Sequence, residues 1–444
     1  MNEGRRTLLG LALLGAGLAA TRPAGAGARR IRLDQLDREL AAIAADPACQ
    51  LASLSTLAIR GGKVVFARAY GRARIGTGAM PDLAATPDTL YRIASVSKMM
   101  TTLGLMRLVE AGKADLDADV SGYLGFSLRN PHFPERTITL RQLLTHTSSL
   151  RDDGGYSFPA GSALRDFLVP GGPLHGAGTM WAAQAAPGAY FTYCNLGWGI
   201  IGTLMERVTG ERFDHLMRTL LLAPLGLAAG YHPSELAPAA QARLATLYRK
   251  RTVDTEVWDA NGPWIAQADD LNTRPAAAPP GLERYAIGDN ATPFSPTGGL
   301  RISARDLGTI MLMLMGGGRH AGRRILGAAT LERMFARQWS ADGHGGNGDT
   351  LDGLFNAWGL GNAQFPDQPG QRLVEGGFGA VGHLGDAYGL RSVFAFDPAR
   401  RNGLIVLVGG TSSDPGLQKG RYSALARFEE QILTSMFRHA IAGE

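Results

Sequence analysis

Strand-forming runs stand at the two ends of this chain with a long helical stretch between them, and that separation limits the possible folds more than any other feature. Near the start, LASLSTLAIR and KVVFARAY flank Gly61-Gly62, and two β-rich runs around a glycine pair predict a hairpin. Near the end, RSVFAFD and LIVLVGG flank a turn at 397–403. Helices accompany both pairs. Leu33, Leu36, Leu40 and Ile43 recur at helical spacing until Asp46-Pro47 stops them, and a second helical stretch runs from about Tyr422 to Arg438. From about Met99 to Leu227 the patterns are helical throughout: TTLGLMRLVEAG, ITLRQLLTH, LGWGIIGTLMERVTG and FDHLMRTLL. The expected fold class is therefore α/β, an antiparallel sheet flanked by terminal helices with an inserted all-α domain. The boundaries expected are a leader at 1–28, the first part of the α/β domain at 29–98, the helical domain with cleft loops at 99–295, and the rest of the α/β domain at 296–444. Residues 252–296 carry Trp258, Trp264 and six prolines with no clear period, too long for an idle connector, and read either as a loop over a binding cleft or as a surface excursion.

The leader expectation rests on Arg5-Arg6, an apolar stretch from Leu8 to Ala20, and small residues at Ala24-Gly25-Ala26 and Ala26-Gly27-Ala28. That is a signal-peptide layout whose adjacent arginines resemble a twin-arginine export signal, and it predicts a periplasmic or secreted protein. The apolar stretch is shorter than the ~20 residues that span a bilayer, so no stable membrane span is expected. The formal charge of +6 comes almost wholly from arginine dispersed along the chain, which gives no support for nucleic-acid binding. Cys49 and Cys194 sit in no ligand or redox spacing, and nothing in the sequence places them together. The histidines are scattered, and neither a metal nor an organic cofactor is implied.

Chemistry is concentrated at three places. In TLYRIASVSKMMTTLGLMRLVEAG, Ser95 and Lys98 share a helical face at i, i+3. Lysine is scarce here, at positions 63, 98, 113, 250 and 419 only, and Lys98 alone has a serine three residues before it; chance predicts about 0.2 such pairs. A serine at a helix N-terminus gains from the positive end of the helix dipole as its oxygen becomes anionic, and a desolvated lysine becomes a usable base. An N-cap serine followed by a surface lysine fits the same pattern. Tyr193-Cys194-Asn195 sets a phenol two residues from a carboxamide, a proton carrier beside a group that orients an amide. His383-Leu384-Gly385 precedes RSVFAFD. A glycine there lets a substrate approach the backbone, and the N–H of Asp386 with that of Ser95 would form an oxyanion hole.

In order and spacing these pieces resemble the penicillin-recognising serine hydrolases: class C β-lactamases, D-Ala-D-Ala carboxypeptidases and related esterases. LRQLLTHTSSL (140–150), PGAYFTYCNLGWGIIGTLMERVTG (187–210) and PTGGLRISARDL (296–307) are similar to stretches of that family, and the resemblance covers roughly residues 35 to 440. It implies Ser95 as the acylated nucleophile, Lys98 and Tyr193 sharing general-base and proton-transfer work, and Asn195, His383, Gly385 and Asp386 on the substrate. The partner implied is a small amide, ester or peptide. His383 stands where class C β-lactamases carry the lysine of Lys-Thr-Gly, so D-amino-acid peptides and short-chain esters come ahead of β-lactams. A true class C-type β-lactamase and a catalytically idle cell-wall-peptide-binding protein are the alternatives.

Overall fold

The computed structural model describes residues 32–77, 81–253, 255, 257–273 and 275–443; the expected leader lies outside these residues. Among them, nine strands form one sheet: β1 (Ser53–Arg60), β2 (Lys63–Arg74), β3 (Leu83–Ala84), β4 (Trp339–Ser340), β5 (Ala357–Trp358), β6 (Ala363–Phe365), β7 (Ala380–Ala387), β8 (Leu390–Asp397) and β9 (Asn402–Val408). Their order is β4-β5-β6-β7-β8-β9-β1-β2-β3, with every neighbour antiparallel. The two ends of the chain thus meet inside the sheet, Leu54 opposite Val408 and Ile59 opposite Gly403. Gly61 and Gly62 turn the first hairpin with φ of 57° and 77°, which glycine adopts without steric cost.

The helices on the sheet are α1 (Leu33–Ala44), α2 (Val96–Glu110), α5 (Ala304–Met315) and α6 (Arg427–Met436), and α3 (Leu140–Leu144) and α4 (Leu196–Thr209) lie beyond them, α4 packed on α2 and α3. Side chains alternate across each strand, and this splits the core in two. Leu54, Ala58, Val393, Ala395, Leu404 and Val406 pack with Leu36 and Leu40 of α1 and with Phe428 and Ile432 of α6. Leu57, Ile59, Phe394, Phe396, Ile405 and Leu407 belong to the other core, with α2, α4 and α5. Residues Val96 to Met106 of α2 are buried without a break, as expected of a helix apolar all round. The expected α/β class is the one observed.

Two details differ from the sequence-based expectation. Within 252–296, Trp264–Ala268 is a strand, antiparallel to Leu247–Lys250, which in turn runs parallel to Gly410–Thr411. The middle of the chain therefore contributes strands as well as helices; five residues bounded by Pro263 and Asp269 are too few for periodicity to reveal. The other end of that segment, from Thr292 to Pro296, does wall a cavity. His383, Leu384 and Gly385 lie inside β7 and not ahead of a strand, His383 opposite Phe394 and Gly385 opposite Ser392. Gly382 and Gly385 mask the strand, because glycine is depleted in strands. Pairing with β6 ends at Gly382, so from His383 onward β7 has only β8 as a ladder partner.

Candidate active site

The strand Leu90–Arg92 pairs antiparallel with Arg301–Ser303, and the Ile93 N–H donates to Leu300 O at 2.9 Å. Ala94 then takes φ +47°, a left-handed conformation that costs a side-chain-bearing residue about 1–2 kcal/mol, and the chain turns into α2. Ser95 sits at the N-cap of α2 with no capping bond from its side chain. Its hydroxyl is free for other work. One turn on, the Lys98 side chain is fully buried, and its Nζ donates to Ser95 Oγ (2.9 Å), Asn195 Oδ1 (2.6 Å) and Thr297 O (3.2 Å). The amine lies 4.9 Å from the centre of the Tyr193 ring and 5.8 Å from that of Trp198. Burial pulls the Lys98 amine down to about 7, against the opposing pull of Asp152 and Cys194, so near neutrality a large share of it is unprotonated.

Tyr193 and Ser95 wall the same cavity, and burial raises the phenol above its ordinary value against a smaller lowering influence of the Ser95 hydroxyl. It is a protonated phenol, not a phenolate, at neutral pH. A shelf beneath it comes from the segment after α3. His146, at φ +56°, accepts the Cys194 N–H on Nδ1 at 2.9 Å, and its carbonyl accepts the Thr192 N–H at 2.8 Å. The imidazole stacks 4.4 Å from the Tyr193 ring and 4.8 Å from Trp198. His146 lies just past the end of α3, so this helix end also carries the tyrosine.

Asn195 is the N-cap of α4. Its Oδ1 accepts from Lys98 and from Thr297 Oγ1 (2.8 Å), and its Nδ2 donates to Asp152 Oδ2 (2.8 Å). Most of the carboxamide is thus engaged within the protein, which leaves one Nδ2 hydrogen for anything entering the cavity. Asp152 is a residue the sequence reading missed. Its carboxylate also accepts the backbone N–H groups of Asn195 (2.8 Å) and Leu196 (3.0 Å), a negative charge at the positive end of α4. Its only sequence signal is its place two residues after LRQLLTHTSSL. Thr297 was missed too, although PTGGLRISARDL contains it.

His383 is fully buried among Trp358 (5.4 Å between ring centres), Phe355 and Tyr193 (6.3 Å each). Its Nδ1 meets Leu384 O, and its Nε2 has no partner among the described residues. Burial and the charge of Lys98 lower the ring to about 3, so it is neutral near pH 7. The resemblance sets His383 on the substrate, but its ring is enclosed and is not among the residues that wall the cavity. Gly385 lies directly against the nucleophile. A Cβ there would stand 2.7 Å from Ile93 O and 3.1 Å from Ser95 N, and would collide with Ser392 Oγ. The Asp386 carboxylate is exposed and paired with Arg391 at 3.0 Å, directly across β7 and β8. That pairing supplies the offset that a carboxylate at this position requires. Cys49 and Cys194 are both free and buried. A cavity of about 260 Å³ opens on Ser95, Tyr193, Asn195, Thr297 and Asp386, with Arg92 in its wall.

The family model for β-lactamases matches residues 33–427. The chain belongs to the β-lactamase family. Among curated relatives, it is 31% identical over 186 residues to the D-alanyl-D-alanine-carboxypeptidase/endopeptidase AmpH of Escherichia coli (strain K12), covering 41% of this chain and 46% of AmpH. It is 31% identical over 199 residues to the esterase EstB of Burkholderia gladioli, covering 40% and 46%. Each match thus spans less than half of the relative's length. The fold is shared with the D-amino acid amidase from Ochrobactrum anthropi SV3 in complex with L-phenylalanine, at a TM-score of 0.62 and 20% identity over 90% of this chain and 97% of that one.

Proposed function

We propose that this β-lactamase-family protein is an exported serine hydrolase that cleaves a small amide or ester through an acyl-enzyme on Ser95. The observation that carries the reading is the buried Lys98 amine, 2.9 Å from Ser95 Oγ and held near a pKa of about 7. In its neutral form it accepts the Ser95 proton as Oγ attacks the carbonyl. The N–H groups of Ser95 and Asp386 receive the oxyanion, and the start of α2 adds its dipole. Tyr193, a protonated phenol in the same cavity wall as Ser95, passes a proton to the leaving oxygen or nitrogen and is resupplied from Lys98. Water then takes the place of the leaving group, Lys98 accepts its proton, and the acid is released. Asn195, Thr297 and Asp152 hold the lysine in place.

D-Amino-acid peptides and short-chain esters are the substrates this reading favours. The carboxypeptidase and esterase names of the relatives support it, as does His383, a neutral, enclosed ring at the position where class C β-lactamases carry a lysine. Wild type and Ser95→Ala should be treated with a fluorophosphonate and with a fluorescent penicillin. Wild type is expected to gain one fluorophosphonate adduct on Ser95, Ser95→Ala none, and acyl-D-Ala-D-Ala or a p-nitrophenyl ester to turn over faster than a chromogenic cephalosporin. Absence of every adduct together with absence of turnover would leave the idle peptide-binding alternative. Export is tested by N-terminal sequencing of protein recovered outside the cytoplasm, which should begin after the small-residue sites at 24–28.

A further inference from the structure

We propose that Arg92 is a carboxylate anchor for the substrate, so that the preferred substrates are small amides or esters that also carry an acid group. This rests on the serine-hydrolase reading and narrows it. Arg92 stands three residues before Ser95 and walls the same cavity. Arg92 is half-buried, and nearby Arg301 is buried and fully compensated: its Nη2 and Nε reach the two oxygens of Asp269 at 2.7 and 3.0 Å. The charge of Asp269 also reaches Arg92, but both of its oxygens are engaged by Arg301. Arg92 keeps a single hydrogen bond, from Nε to Gly298 O at 3.2 Å, and the face of the Tyr388 ring, 4.6 Å from its guanidinium carbon. Among the described residues it has no ion pair, and neither terminal nitrogen has a hydrogen-bond acceptor.

A half-buried guanidinium with no ion pair of its own is only partly compensated by the protein, and its free edge is the shape that takes a carboxylate in two parallel hydrogen bonds. Other acids at the cleft do not compete. Asp386 is held by Arg391 and Asp152 by the start of α4. Arg92 also walls a second cavity of about 550 Å³, which shares Pro293 and Ser295 with the first. It stands where the two spaces meet, so a substrate anchored there has room to extend away from Ser95.

The test compares acids with neutral isosteres: acyl-D-alanyl-D-alanine against its C-terminal amide, and the 4-nitrophenyl monoester of succinic acid against 4-nitrophenyl butyrate. The two pairs place the acid on the leaving and acyl sides respectively. In at least one pair, kcat/KM should favour the acid by about tenfold to a hundredfold, and added salt should reduce the preference. Arg92→Met should bring the ratio to about one, with Arg92→Lys in between, as a point charge replaces a fork. An acid preference absent from both pairs, or one that survives Arg92→Met, overturns the proposal. Wild type alone gives an independent readout: N-acetyl-D-alanine should inhibit butyrate ester hydrolysis at lower concentration than N-acetyl-D-alaninamide, and equal inhibition counts against Arg92. Fluorophosphonate labelling and butyrate turnover report the serine chemistry separately. Labelling without acid preference removes the anchor alone, whereas silence in both removes the serine reading.

Discussion

Lys98 occupies a place where an ammonium is poorly solvated but not isolated: three oxygens accept from it, and Asp152 lies behind Asn195. Asp152 therefore acts in two ways, by fixing the carboxamide and by raising the lysine's affinity for its proton. Asp152→Asn keeps the size of the side chain and removes the charge. The expected result is a loss of about tenfold to a hundredfold in kcat/KM, the usual effect of losing charge-assisted bonds. The alkaline rise of the rate should also move to lower pH, since Lys98 loses its proton more readily. A variant that was only structurally damaged would lose rate without that shift. Ser95 and Lys98 were legible in the sequence because lysine is rare in this chain, so one lysine a turn after a serine stood out. Asp152 was not, because a single carboxylate that caps a helix more than forty residues away leaves no periodic trace.

At the level of elements, the site is a junction of the α2 start, the α4 start and β7. Close approach makes it possible. Gly385 brings β7 against the Ser95 N–H, and Gly199 and Gly202 let α4 accept Thr292 and Pro296. Gly385→Ala should destabilise the protein by about 1–3 kcal/mol, as overpacking does, because the Ile93 carbonyl it would meet is backbone and cannot turn aside. Urea denaturation measures that cost, and fluorophosphonate labelling of the folded fraction should fall with it. Unchanged stability would mean that β7 stands farther from α2 than described. The hairpins and long helices were legible from their periods of two and 3.6 residues. β7 was not, because the glycines that make it useful are those that hide it, and Trp264–Ala268 was too short to declare itself.

For the whole molecule, joining β1 to β9 closes the sheet from both ends of the chain, and burying it on both faces carries several imidazoles inside. Burial holds His383 at about 3 and His232 at about 4, and His146 well below the ordinary 6.5. Between those depressed values and 6.5 the unfolded chain binds protons that the folded one refuses, so stability rises with pH across that window and is lost as pH falls through it. The urea midpoint should drop between about pH 7 and about pH 5, and His383→Asn should lessen the drop. An unchanged dependence would mean that His383 is protonated, or open to water, in the folded protein. The architecture was legible because strands at both ends have few ways to cover their apolar faces other than pairing; the charge state of residues inside it depends on burial, which a sequence does not display.

Everything proposed for the chemistry depends on Ser95 being activated by a lysine that is half deprotonated near neutrality. The most direct test is the second-order rate of fluorophosphonate labelling across about pH 5 to 9, with the adduct located on the Ser95 peptide by mass spectrometry. The account predicts a rate that climbs through a single limb near pH 7, nearly abolished in Lys98→Ala while the adduct site stays at Ser95. A rate indifferent to pH over that range, or an adduct that persists in Ser95→Ala, would contradict it.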